Sequence, residues 1–184
     1  MKPWCPTRAS TGWSLRRDGA AVEPFEELVR RGEEALAQGA WHRAEECFRE
    51  AVALRPTSAH AHSRLGVALA RQGRYEEALA SFREALQLDP LYAPAYCNIG
   101  TVHGERGELE EAVRAYRKAL ELDPDYAVAH QNLAAVYKRL GRYEEFVRHM
   151  KRATRLAARG PRVAGRPGCL VTLLAAGAVL WWGR

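Results

Sequence analysis

From about residue 25 to residue 157, apolar positions recur at helical spacing in paired runs, and each pair is broken at a glycine: Gly39, Gly73, Gly107 and Gly141. A left-handed C-terminal cap costs glycine least, so each unit is predicted to be a helix, a tight turn and a second helix. The phrases Gly73-Arg-Tyr-Glu-Glu-Ala-Leu79, Gly107-Glu-Leu-Glu-Glu-Ala-Val113 and Gly141-Arg-Tyr-Glu-Glu-Phe-Val147 stand 34 residues apart. Pro56, Pro90 and Pro124 keep the same period and end the second helices, because proline pushes the residue before it out of the α region. Four units therefore begin near Phe25, Ala59, Ala93 and Ala127.

Small residues recur where two helices must touch backbone to backbone: Gly32, Gly66, Gly100 and Ala134 on first helices, then Ala44, Ala78 and Ala112, then Ala51, Ala85, Ala119 and Ala153 on second helices. Large residues share a phase beside them, Phe48, Phe82, Tyr116 and Met150 on one side and Leu65, Ile99 and Leu133 on the other. With the Leu65-Gly66, Ile99-Gly100 and Leu133-Ala134 pairs and the closing proline, this pattern resembles the tetratricopeptide repeat family over residues 25–157. Unit one departs with Arg31 where Leu is usual, and unit four with bulky Phe146 in the small-residue slot and Ala158 in place of Pro. The resemblance implies an all-α, right-handed α-solenoid of about four helix-turn-helix units with one concave groove, since no single helix pair buries its own apolar face.

In that family the groove is lined by first-helix residues. At the matching offsets stand Arg30, Glu33, His60, Ser63, Arg64, Val67, Cys97, Asn98, Thr101, Gln131, Asn132, Ala135 and Arg139. Asn98 and Asn132 lie one period apart, and an amide offers both donor and acceptor to a peptide backbone. Arg64, Asn98 and Asn132 head the expected partner-binding set. A subset of the family holds chaperone C-terminal carboxylates with a Lys, Asn, Asn, Lys, Arg set. The corresponding slots here hold Val29, Glu33, Arg64, Pro94 and Asn98 in one frame, or Ser63, Val67, Asn98, Val128 and Asn132 in the next, so neither frame reproduces it.

Charge changes the picture at the ends. The chain carries 28 Lys and Arg against 22 Asp and Glu, yet residues 25–147 hold sixteen bases and twenty acids. All the basic excess is in the ends, with eight bases and no acid in residues 148–184. Cys5, Cys47, Cys97 and Cys169 lack zinc spacing and read as reduced cytoplasmic thiols. His60 and His62 point to different sides of a helix and cannot share a metal ion easily. No phosphate loop, nucleophile elbow or paired acid and base appears, so the sequence predicts binding rather than catalysis, with no cofactor.

Beyond the array, residues 158–168 form a basic Gly/Pro linker into a hydrophobic segment, 169–184. The fourteen residues Cys169–Trp182 contain no charge. Leu170, Val171, Leu173, Leu174, Val179, Leu180, Trp181 and Trp182 are expected to meet a membrane, although roughly 24 Å of helix is short of a roughly 30 Å bilayer core. The terminal tryptophans and Arg184, with the upstream arginines, suit a tail anchor on a cytoplasmic face. Nucleic acid is disfavoured, because no aromatics interleave with the basic run. Residues 1–24 lack any sustained period and are expected to be disordered. The expected function is a membrane-tethered scaffold binding a protein or peptide in its groove. The competing expectation is a soluble assembly or regulatory subunit whose tail packs on a partner or a homodimer, with the oligomeric state left open.

Overall fold

The computed structural model describes residues 14–15, 21–22 and 24–158. Among the described residues the helices run α1 Pro24–Ala37, α2 Trp41–Leu54, α3 Ala59–Arg71, α4 Tyr75–Leu88, α5 Ala93–Glu105, α6 Leu109–Leu122, α7 Ala127–Arg139 and α8 Tyr143–Ala158. They form an all-α solenoid in which each helix packs on its chain neighbours. First helices also meet one another, α3 on α5 and α5 on α7. Within the stretch expected to be disordered, β1 (Ser14–Leu15) and β2 (Ala21–Val22) pair antiparallel, Ser14 opposite Val22. The predicted linker beyond Ala158 and the apolar segment 169–184 lie outside the described residues.

The glycine punctuation acts through one backbone device used four times. Gly39, Gly73, Gly107 and Gly141 take φ of 73°, 77°, 80° and 71°. One residue later the chain bonds back across the helix end, Ala40 N–H to Ala35 O, Arg74 to Leu69, Glu108 to His103 and Arg142 to Tyr137, at 2.9–3.1 Å. This is a Schellman closure, and it returns the second helix along the first. Between units, Asp89 and Asp123 accept the N–H two residues on, at 3.0 and 3.2 Å, and turn the chain through Pro90 and Pro124. In the second unit Ser58 instead caps α3, its Oγ accepting from Ala61 N–H at 3.2 Å.

Inside each of the first three units a first-helix glycine lies flat under a ring of the second helix. A Cβ added at Gly32 or Gly66 would stand 2.6 Å from Phe48 or Phe82, and one at Gly100 would stand 2.9 Å from Tyr116. Those rings are buried, as are the alanines Ala44, Ala78 and Ala112 beside them. The fourth unit carries Ala134 at the glycine position and Phe146 at the alanine position, so its helices meet differently. Among the residues of α8 only Ala153 and Leu156 are buried, while Tyr143, Val147 and Met150 stay exposed.

The first junction is the most heavily tied. Buried Glu45 of α2 accepts from Gln72 at 2.8 Å, from Arg74 at 2.8 Å and from Arg49 at 2.7 Å. Burial pushes its carboxyl up, but these three donors outweigh that and hold it at about 2. Gly66→Ala is expected to cost roughly 1–3 kcal/mol through the overlap with Phe82. A double-mutant cycle with Phe82→Leu, read by urea unfolding, should show the two changes compensating; strict additivity would place the strain elsewhere.

Candidate functional site on the concave face

First helices α3, α5 and α7 contact one another in turn, and their spacing decides the fate of the expected groove residues. Asn98 is fully buried and donates to Ser63 Oγ of α3 at 3.4 Å. Asn132 donates to Thr101 Oγ1 of α5 at 3.5 Å and reaches Cys97 Sγ at 4.0 Å. Thr101 in turn meets the Tyr116 hydroxyl at 3.0 Å, and burial pushes that phenol well above its ordinary range. Asn98, Ser63, Asn132 and Thr101 therefore tie neighbouring first helices to each other. Both amides are engaged beyond these bonds as well.

The remaining expected residues divide. Arg30 is exposed and paired along its own helix with Glu27 and Glu34. Gln131 is exposed on α7, and exposed Arg139 caps the end of α5 by donating to Gly104 O at 2.7 Å. Arg64 is only 9% exposed and is paired with Glu33. His60 lies one turn before Arg64 on α3.

Among the described residues, three buried side-chain atoms have no hydrogen-bond partner: His60 Nε2, Arg64 Nε and Tyr126 Oη. Arg64 lies near enough to Tyr92 and Tyr126 for their hydroxyls to bear on its ionisation, and burial lowers its pKa. Burial likewise lowers His60 and raises Tyr126. Unsatisfied buried polar atoms cost roughly 1–3 kcal/mol each and call for an explanation. Tyr92 and Tyr126 escaped the sequence reading because they precede the helices, as N-caps of α5 and α7. Their signal was their own 34-residue spacing.

Cysteine chemistry differs from the expectation of reduced thiols. Cys47 is free and buried, whereas Cys97 is disulfide-bonded. Among the described residues no group of three or more potential ligands is placed to hold a metal ion. No described helix is long and apolar enough to cross a membrane.

Tetratricopeptide repeat family models match residues 29–93 and 127–159, and a TPR repeat model matches residues 105–141. The chain is a tetratricopeptide repeat protein. Its array resembles a crystal structure of MamA, with 29% identity over 73% of this chain and 79% of that one and a TM-score of 0.61. A MamA fragment from Desulfovibrio magneticus RS-1 has 26% identity over 74% of this chain and 77% of that one, with a TM-score of 0.61. PilF of Pseudomonas aeruginosa, 24% identical over 73% of this chain and 62% of that one, shares the fold with a TM-score of 0.66. No curated protein matches the sequence. The tetratricopeptide array is a protein-interaction scaffold in architecture.

At the α7–α8 junction two imidazoles meet. His130 Nε2 lies 3.1 Å from Pro124 O, which assigns the proton to that nitrogen and leaves Nδ1 to accept from His149 Nδ1–H at 2.8 Å. His62 uses the same device two units earlier, reaching Pro56 O at 3.0 Å. Burial, with Arg152 nearby, lowers His130. Burial, His130 and the cations Arg148 and Arg117 lower His149 to about 4. Unfolded imidazole takes up its proton near 6.5. Stability from this pair is therefore complete above pH 6.5 and is lost as pH falls towards 4. Urea unfolding across that window should show a steeper loss for the native chain than for His149→Gln, which still donates to His130 and does not titrate.

Proposed function

We propose that the array holds a partner protein segment by its backbone along the wall made by His60, Arg64 and Tyr126. The single observation carrying this reading is the orphaned trio of buried atoms, His60 Nε2, Arg64 Nε and Tyr126 Oη, with Tyr126 near enough to Arg64 to bear on its ionisation. Arg64 is already paired with Glu33, so a neutral carbonyl suits its remaining N–H better than a second carboxylate would. Tyr126 Oη can donate to a carbonyl or accept an amide N–H, and neutral His60 offers one role or the other. Such a set fixes a main chain without demanding one sequence, as an adaptor requires. Gln131 and Arg139 lie exposed on α7, available for contacts that select among partners.

The uncharged residues 169–182 and the basic approach to them favour tethering at a cytoplasmic membrane face. Fractionation tests this directly: the full chain is expected to resist alkaline extraction and a version ending at Arg166 to be released. Equal solubility of both would assign the tail to protein packing.

Tyr126→Phe separates recognition from folding. Removing an unpaired buried hydroxyl should leave stability unchanged or raise it by up to about 1 kcal/mol. A photo-crosslinking residue at Gln131 should then capture less partner from cells than the same probe on the unsubstituted chain. A probe at Arg114, exposed on the second helix α6, should capture none. Undiminished capture by Tyr126→Phe would move recognition off this wall.

A further inference from the structure

The array ends differently from how it begins. In α4 the stripe Tyr75, Leu79, Phe82 and Leu86 is covered by α5, whose Val102 and Tyr92 lie in the same cores. In α6 the stripe Leu109, Val113, Tyr116 and Leu120 is covered by α7 through Val136 and Tyr137. One period on, the same positions of α8 hold Tyr143, Val147, Met150 and Thr154. Tyr143, Val147 and Met150 are 65%, 43% and 36% exposed, where their equivalents are interior.

The other end of the array offers this stripe no complement. Ala61, Leu65 and Ala68 of α3 are buried, as are Ala129, Leu133 and Val136 of α7, and the same positions of α1 carry Glu27, Arg31 and Glu34. Seating α1 of a second copy on α8 would bring those charges onto apolar side chains, so open-ended growth of the stack is disfavoured.

The charges along α8 point to a different occupant. Tyr143, Val147, Met150 and Thr154 follow one another at steps of four, three and four residues, the seam of a two-helix coil. On one flank of the seam Phe146 and Ala153 face the array. On the other stand Glu144 and Lys151, both exposed. When two such helices lie antiparallel, Tyr143 comes opposite Thr154 and Val147 opposite Met150 of the second copy. Glu144 then lies beside the second copy's Lys151, with Arg155 one turn further on, and symmetry repeats the contact. The acidic first turn of each helix, Glu144 and Glu145, also meets the basic last turn of the other, where Arg155 stands.

We infer that two copies of this chain join through α8, antiparallel about a two-fold axis, each covering the other's open stripe. The joint is independent of the groove reading. It buries only one helix pair, a small area for a protein interface, so the dimer is reversible. It also closes on itself and leaves no apolar end for a third copy.

Sedimentation of the full chain across micromolar concentrations tests the joint, in a non-ionic detergent that covers the uncharged residues 169–182. The native chain is expected to pass from monomer to dimer. Glu144→Lys sets like charges together at both symmetry-related contacts, and so does Lys151→Glu. Each alone should weaken the dimer by roughly tenfold. Both side chains are exposed, so helical circular dichroism should not change. An equimolar mixture of the two variants restores opposite charge at both contacts and should recover the dimer as a hetero-pair. A native chain that stays monomeric throughout would overturn the joint and assign the stripe to residues 159–184 or to another protein. Dimers indifferent to both substitutions would place the contact elsewhere. Variants that weaken the dimer without recovery on mixing would overturn the antiparallel pairing.

Discussion

How close two helices can lie is set here by a glycine beneath an aromatic ring. Phe48, Phe82 and Tyr116 occupy the space a Cβ would need on Gly32, Gly66 and Gly100. That contact fixes the depth of each helix pair, and the buried alanines of the second helices follow from it. The turn must then bring the second helix straight back, which is why all four units use the same left-handed glycine and the same bond across the helix end. In the first three units the glycine–ring contact repeats, and successive first helices come into mutual contact, α3 on α5 and α5 on α7.

That mutual contact shapes the concave wall. Polar side chains on it are spent first on holding α3, α5 and α7 together, through Asn98 to Ser63 and Asn132 to Thr101. Each is a modest bond, worth about 1 kcal/mol, yet leaving either amide buried without it would cost more. The wall thus combines a cross-tied floor with a small set of polar atoms that nothing in the array satisfies, those of His60, Arg64 and Tyr126. The floor gives rigidity, and the unsatisfied atoms give a reason to bind.

Most of the fold was legible because its signals are periodic and backbone-based. Glycine, proline and the small-large alternation each report a local constraint that holds whatever surrounds it. Register alone could say that Asn98 and Asn132 face inward, but not that the next helix comes near enough to bury them. That distance is a property of the stack rather than of any one unit. Tyr92 and Tyr126 were missed because they sit before the helices, and His130 and His149 because their meeting joins two helices at a single junction. Cys97 was read as a thiol because spacing along the chain carries no information about distant pairing.

The ties between neighbouring units are unequal. Glu45 takes two donors, Gln72 and Arg74, across the first junction, whereas α8 buries only Ala153 and Leu156 and leaves Tyr143, Val147 and Met150 uncovered among the described residues. In a stack whose energy is a sum over neighbours, such a gradient gives unfolding a direction. The fourth unit, whose last helix leaves Tyr143, Val147 and Met150 exposed, should open before the first, which Glu45 ties to the second. A binding event that covers Val147 and Met150 would then stabilise the end of the array that Glu45 does not reach.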